Sequence, residues 1–214
     1  MKKWGDRARD ALMEELKLFL KEEVFKAVVN PSEDQKKNAL RMHCFMVEKR
    51  DGWIKARAVA DGRTQKRYLE EETYSPIVRL ESIMLSTLID AHENRHVRTV
   101  DIKGAFPKAT VPEDMDLIVK MEGDLAILLN KLNDGFKIDN CGVMYLKCVK
   151  PLYGHSKAAR LFYNDPNESL IEKMGFVWNS YGPCVYNKKT EDGFVTVCTH
   201  VDDLKFRRSL RGSY

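Results

Sequence analysis

The run Phe194-Val195-Thr196-Val197-Cys198-Thr199-His200-Val201 is rich in β-branched residues and reads as a strand, and it closes on two adjacent aspartates, Asp202 and Asp203. Another acid, Asp101, ends the short β-rich segment Val97-Arg98-Thr99-Val100. Side chains alternate along a strand, but residues in a tight turn between two strands can both reach one edge. If the two segments are neighbours, three carboxylates converge, and such a cluster repels itself without a cation. Hard cations such as Mg²⁺ take carboxylate and phosphate oxygens, and two of them can clamp an in-line phosphoryl displacement. The residues alone leave a second reading open. Asp is common in turns, so Asp202-Asp203 can equally be a solvated turn with no ligand.

The rest of the chain supplies a mixed set of elements. Ala11, Leu12, Leu16, Phe19, Leu20 and Val24 fall near helical spacing, so residues 7–28 predict an amphipathic helix, ended by Asn30-Pro31. RMHCFMVEK and WIKARAVA flank Asp51-Gly52, the pattern of a β-hairpin. A helix is predicted from about Val78 to His92, and strands at 97–101, 117–121 and 142–149. A further helix from Ser156 to Met174 contains Asn164-Asp165-Pro166. Proline in a helix interior removes a hydrogen bond and costs about 3 kcal/mol, so a break or kink is expected there. This order predicts an α+β fold with a largely antiparallel sheet.

Composition narrows the class. With 214 residues, 43% hydrophobic and 32% charged, the chain suits one or two globular domains. No apolar run approaches membrane-spanning length, and the N-terminus has no apolar secretion segment, so cytoplasm or nucleus is expected. The five cysteines form no CxxC pair, the usage expected of reduced thiols. Net charge is +4, but Lys36, Lys37, Arg41, Lys49, Arg50, Lys55, Arg57, Arg63, Lys66 and Arg67 crowd one segment with few acids among them. That is either a phosphate-binding surface or a solvated hairpin face. His92 and His96 have a metal-capable spacing but no HExxH context, and read as a solvated helix end.

Taken in order, the segments resemble the reverse transcriptase of copia-type retrotransposons. GWIKARAVADGRTQ is similar to that family's fingers hairpin, and TYSPIVRLESIMLSTLIDAHENR to the helix that follows. VDIKGAF is similar to its first catalytic strand, CVKPLYGHSKAARLFY to its LYGLKQSPRAWY-like stretch, and the run ending in HVDDL to the approach to its YVDD box. The resemblance covers residues 8–204. It implies a right-hand polymerase fold, with residues 1–35 leading into the fingers, 36–96 forming the fingers, 97–206 a partial palm carrying an antiparallel catalytic sheet, and 207–214 a divergent basic tail. The thumb is expected to be absent.

The resemblance also implies roles. Asp101, Asp202 and Asp203 match the three catalytic carboxylates that hold two Mg²⁺ ions (Mn²⁺ being an alternative), with Ile102 contributing to the metal site. Lys55, Arg57, Ile102, Lys103, Phe106, Tyr153 and Gly154 match positions around the incoming dNTP. Phe106 is placed where a bulky ring would exclude a 2′-hydroxyl. His200 and Val201 would lie near the primer terminus, with His200 standing where the family usually has Tyr. Pro107 and Asn164-Asp165-Pro166 also depart from the pattern, and after Leu204 the expected apolar strand gives way to KFRRSLRGSY. The implied activity is RNA-directed DNA polymerisation on an RNA or DNA template–primer. The rival is a truncated, inactive remnant that binds nucleic acid through its basic segment. An unrelated metal-dependent phosphotransferase would explain the acids but not the ordered segments.

Overall fold

The computed structural model describes residues 4–65, 75–102, 109–191 and 193–208. In chain order the elements are α1 (Gly5–Lys21), β1 (Phe25–Ala27), α2 (Glu33–Asn38), β2 (Leu40–Glu48), β3 (Ile54–Ala60), α3 (Leu80–His92), β4 (His96–Asp101), β5 (Ile118–Glu122), α4 (Asp124–Leu132), β6 (Val143–Cys148), α5 (Ala158–Glu168), β7 (Val177–Trp178), β8 (Val185–Thr190), β9 (Gly193–His200) and β10 (Asp203–Arg208). They fall into two compact units, residues 1–73 with 106–161 and residues 74–105 with 162–214. Each holds a five-stranded sheet. All strand pairs are antiparallel except β2 with β5, in keeping with the expected α+β class.

The first sheet runs β1-β6-β5-β2-β3. Its hairpin β2–β3 pairs Glu48 with Ile54 and turns through Asp51-Gly52, as the sequence predicts. Gly52 sits at φ +81°, a conformation an L side chain resists, and the Asp51 carboxylate accepts from the Trp53 N–H at 3.0 Å. Ile54, Ala56, Ala58 and Ala60 alternate inward on β3. The outer edge of β3 is covered by α1, and Glu15 accepts the Ala58 N–H there at 3.2 Å. Covering an edge in this way removes a template for intermolecular pairing. Leu12, Leu16 and Phe19 of α1, Val119 and Met121 of β5, Leu129 of α4, and Met144 and Leu146 of β6 close one continuous core.

The first helix stops at Lys21, short of the expected residue 28. Glu23 takes φ +51°, and Phe25–Ala27 becomes a strand paired with Leu146–Cys148. Val24 and Phe25 are residues that gain more as strand than as a last helical turn, and both are buried.

The second sheet runs β4-β10-β9-β8-β7. Tyr186, Val197 and Leu204 face one side and pack with Leu170 and Phe176. The other side carries Cys198, which packs near Ile83 of α3. The α5 helix runs through Pro166 without a break, and a π-helical turn follows at Ser169–Lys173. Asn167 donates its side-chain amide to the Tyr163 carbonyl at 2.6 Å.

The charges after Leu204 do not end the strand. β10 continues to Arg208, sandwiched between β4 and β9. Lys205 Nζ lies 2.9 Å from Asp90 Oδ2, and Arg207 Nη1 lies 3.6 Å from Asp90 Oδ1. Asp90 is 5% exposed and Arg207 7%, so the basic residues point into an acidic partner on α3 rather than to solvent.

Candidate active site

The acids flagged by the sequence meet at one end of the second sheet. His200 and Asp203 are directly paired across the β9–β10 hairpin, and Asp203 is paired with Asp101 across β10–β4. Directly opposed residues share a face, with Cβ atoms typically about 5 Å apart. Asp101, Asp203 and His200 therefore form one row across three strands. Asp202 occupies the two-residue turn with Val201, and its carbonyl accepts the Ile102 N–H at 2.8 Å. That bond ties the chain just past Asp101 to the hairpin tip. Val201 sits at φ +57°. A β-branched residue in the left-handed region is strained, at a typical cost of about 1–3 kcal/mol, and such strain gathers at functional turns.

The donor chemistry is of the kind that hard divalent cations take: three carboxylates lie at one hairpin end, Asp101 and Asp203 in register. Their side chains are not drawn in around a point, because among the described residues no group of three His, Cys, Asp or Glu is close enough to hold a metal ion. Asp101 and Asp203 are exposed and Asp202 is half-buried, so the oxygens are accessible to an ion and its substrate.

Of the remaining residues named from the sequence, the described ones are not part of the second sheet. Lys103 and Phe106 lie outside the described residues. Lys55, Arg57, Tyr153 and Gly154 belong to the first unit. Lys55 and Arg57 stand on the outward face of β3, opposite its buried alanines. The Arg57 guanidinium lies 5.4 Å from the centre of the Tyr153 ring, within cation–π range. Gly154 takes φ +89°, and a methyl group there would overlap the Ala60 carbonyl, so both conformation and space call for glycine.

The basic segment is less free than its sequence suggests. Lys36 pairs with Glu33, Arg41 with Glu122, and Arg63 with Asp61, each within 2.7 Å. The Arg63 guanidinium and backbone N–H hold the Asp61 carboxyl far below the usual carboxylate range. Lys66 and Arg67 lie outside the described residues. The two histidines do not share a helix: His92 ends α3, and His96 opens β4 opposite Arg208. All five cysteines are free, and burial pushes the Cys148 thiol well up. The Asp90–Lys205–Arg207 cluster escaped the sequence reading, since nothing local to Asp90 reveals that its partners arrive on β10.

A family described as reverse transcriptase (RNA-dependent DNA polymerase) matches residues 22–209. The chain is 28% identical over 201 residues to the retrovirus-related Pol polyprotein from transposon TNT 1-94 of Nicotiana tabacum, covering 91% of this chain and 14% of that protein. It is 27% identical over 152 residues to the Pol polyprotein from transposon RE1 of Arabidopsis thaliana, covering 70% of this chain and 9% of that one. It thus spans a small part of the relatives it matches. With the ordered segments, the paired acids and this match together, the chain belongs to the reverse transcriptase (RNA-dependent DNA polymerase) family, in its copia type.

Proposed function

We propose that this chain carries the nucleotidyl-transfer site of an RNA-directed DNA polymerase from a copia-type retrotransposon polyprotein, adding dNMP to a primer 3′-end. The observation that carries the reading is the register of Asp203 with Asp101, locked by the Ile102–Asp202 hydrogen bond. Asp101, Asp202 and Asp203, with Ile102 beside them, would hold Mg²⁺ or Mn²⁺. Those ions would supply Lewis acidity toward the primer hydroxyl and neutralise triphosphate charge.

The chain's own residues bind and orient. Arg57, steadied by the Tyr153 ring, offers a planar fork suited to a pair of phosphate oxygens, and Lys55 adds a point charge on the same strand face. Tyr153 and Gly154 border the nucleotide. Lys103 adds a backbone group, and Phe106 crowds the sugar where a 2′-hydroxyl would sit. His200 and Val201 meet the primer end. Fingers and palm are the roles we assign to the first and second units.

The test is Mn²⁺ binding followed by electron paramagnetic resonance with dNTP present. Bound ion in the parent and its loss in Asp101→Asn and Asp203→Asn is the expected result; undiminished binding in both variants would remove the metal assignment. The loose arrangement of the three carboxylates favours one other reading, an inactive form limited to nucleic-acid binding. That form would bind an RNA–DNA hybrid equally well with and without divalent ions.

A further inference from the structure

We propose that Gln65 and Gly62 form a latch that holds the Tyr153–Gly154 loop against Arg57, making Gln65 a positioning residue for the nucleotide pocket. The latch stands on contacts within the first unit; only its consequence for dNTP rests on the polymerase reading above.

Three contacts, two of them main chain to main chain, join residues 60–65 to residues 153–156. The Ala60 N–H donates to the Tyr153 carbonyl at 2.8 Å, at the end of β3 where Ala60 pairs with Met42. Gly62 and Gly154 pack main chain to main chain, and a methyl group on Gly62 would overlap the Gly154 carbonyl. The Ser156 N–H donates to Gln65 Oε1 at 2.8 Å, across 91 residues of sequence.

The near side of the latch is itself fixed. Asp61 donates its N–H to the Arg41 carbonyl at 2.8 Å and accepts from the Arg63 N–H and guanidinium, closing the one-turn 3-10 helix Gly62–Thr64. Gln65 then donates its own N–H back to the Gly62 carbonyl at 3.2 Å. On the far side, Leu152 is buried in the core. Between these anchors lies Tyr153, whose ring carries Arg57. The side-chain acceptor of Gln65 is the one contact of the three that a single substitution removes without disturbing backbone geometry. Its loss leaves a backbone donor unsatisfied, the costly half of a broken hydrogen bond.

The experiment combines amide hydrogen exchange with steady-state single-nucleotide extension on Gln65→Leu, Gln65→Glu and Gly62→Ala. Gln65→Leu and Gly62→Ala are expected to raise exchange across residues 152–157 while the α1 and β6 amides stay protected. Gln65→Glu, which keeps an acceptor, should restore protection. In extension, Gln65→Leu should raise KM for dNTP about fivefold or more with kcat within about twofold, the pattern of lost substrate positioning. Loop protection unchanged by Gln65→Leu, or exchange raised uniformly over the first unit, would overturn the latch. Loosening confined to the loop with an unchanged KM would overturn its role in nucleotide positioning. A parent that extends no primer would count against the polymerase reading alone, and the exchange result would still decide the latch.

Discussion

Val201 is a β-branched residue held at φ +57° in the turn beside Asp202. Glycine takes that conformation freely, though it also gains freedom in the unfolded chain. Val201→Gly is therefore expected to stabilise the fold by about 1 kcal/mol, read as a higher urea midpoint with unchanged slope. An equal or lower midpoint would mean that the turn carries no strain. Glu15 gives a pH test. Burial raises its carboxyl above the ordinary glutamate value, outweighing the Ala58 N–H and the charges of Lys55 and Arg57. The folded state then keeps this proton to higher pH than the unfolded chain does, so stability falls as pH rises from about 4 through the raised value. Glu15→Gln keeps the acceptor and removes that loss. Its stability relative to the parent should improve between pH 4 and pH 7, and a constant difference over that range would contradict the burial argument.

At the scale of elements, the charged face of β10 is the least expected feature and the most testable. Asp90 is the shared counter-ion of Lys205 and Arg207 in a buried setting. Removing one partner of a buried ion pair leaves uncompensated charge, typically at a cost of about 3–5 kcal/mol. Asp90→Ala should lower unfolding free energy by that order, and Asp90→Ala combined with Lys205→Met should recover part of it. A loss below about 1 kcal/mol would mean the cluster is solvated. The elements also show what the sequence carries and what it hides. The β2–β3 hairpin, the strand of Asp101 and the strand leading into Asp202-Asp203 were legible because their signals are local: alternation, a turn glycine, acids at strand ends. The end of α1 was not legible, because Phe25–Ala27 becomes strand through a partner on β6. α5 was legible as a helix, but not its π turn at Ser169–Lys173, which has no local signal. α3 was legible as a helix but not in its orientation. It buries Ser86 and Asp90 and leaves Leu80, Met84, Leu85 and Leu88 at least 60% exposed, the reverse of what hydrophobic periodicity suggests.

At the scale of the molecule, the acids belong to one compact unit and the basic hairpin to the other. The candidate site was legible as residue types in order, while its register needed the structure: only strand pairing shows Asp203 opposite both Asp101 and His200. No helix among the described residues is long and apolar enough to cross a membrane. If the outward face of β3 meets phosphate, Lys55→Glu with Arg57→Glu should weaken binding of a template–primer. It should also flatten the plot of log affinity against log salt by about 0.7–0.9 per lost contact. An unchanged slope would reassign those charges to solvent. The central claim, that the hairpin acids drive nucleotidyl transfer, is tested most directly by extension of an oligo(dT) primer on an RNA template. The parent is compared with Asp202→Asn in Mg²⁺ or Mn²⁺. The account predicts extension by the parent and none by the variant, with both chains giving the same circular dichroism. Extension that survives in Asp202→Asn, or none from a folded parent, would contradict it.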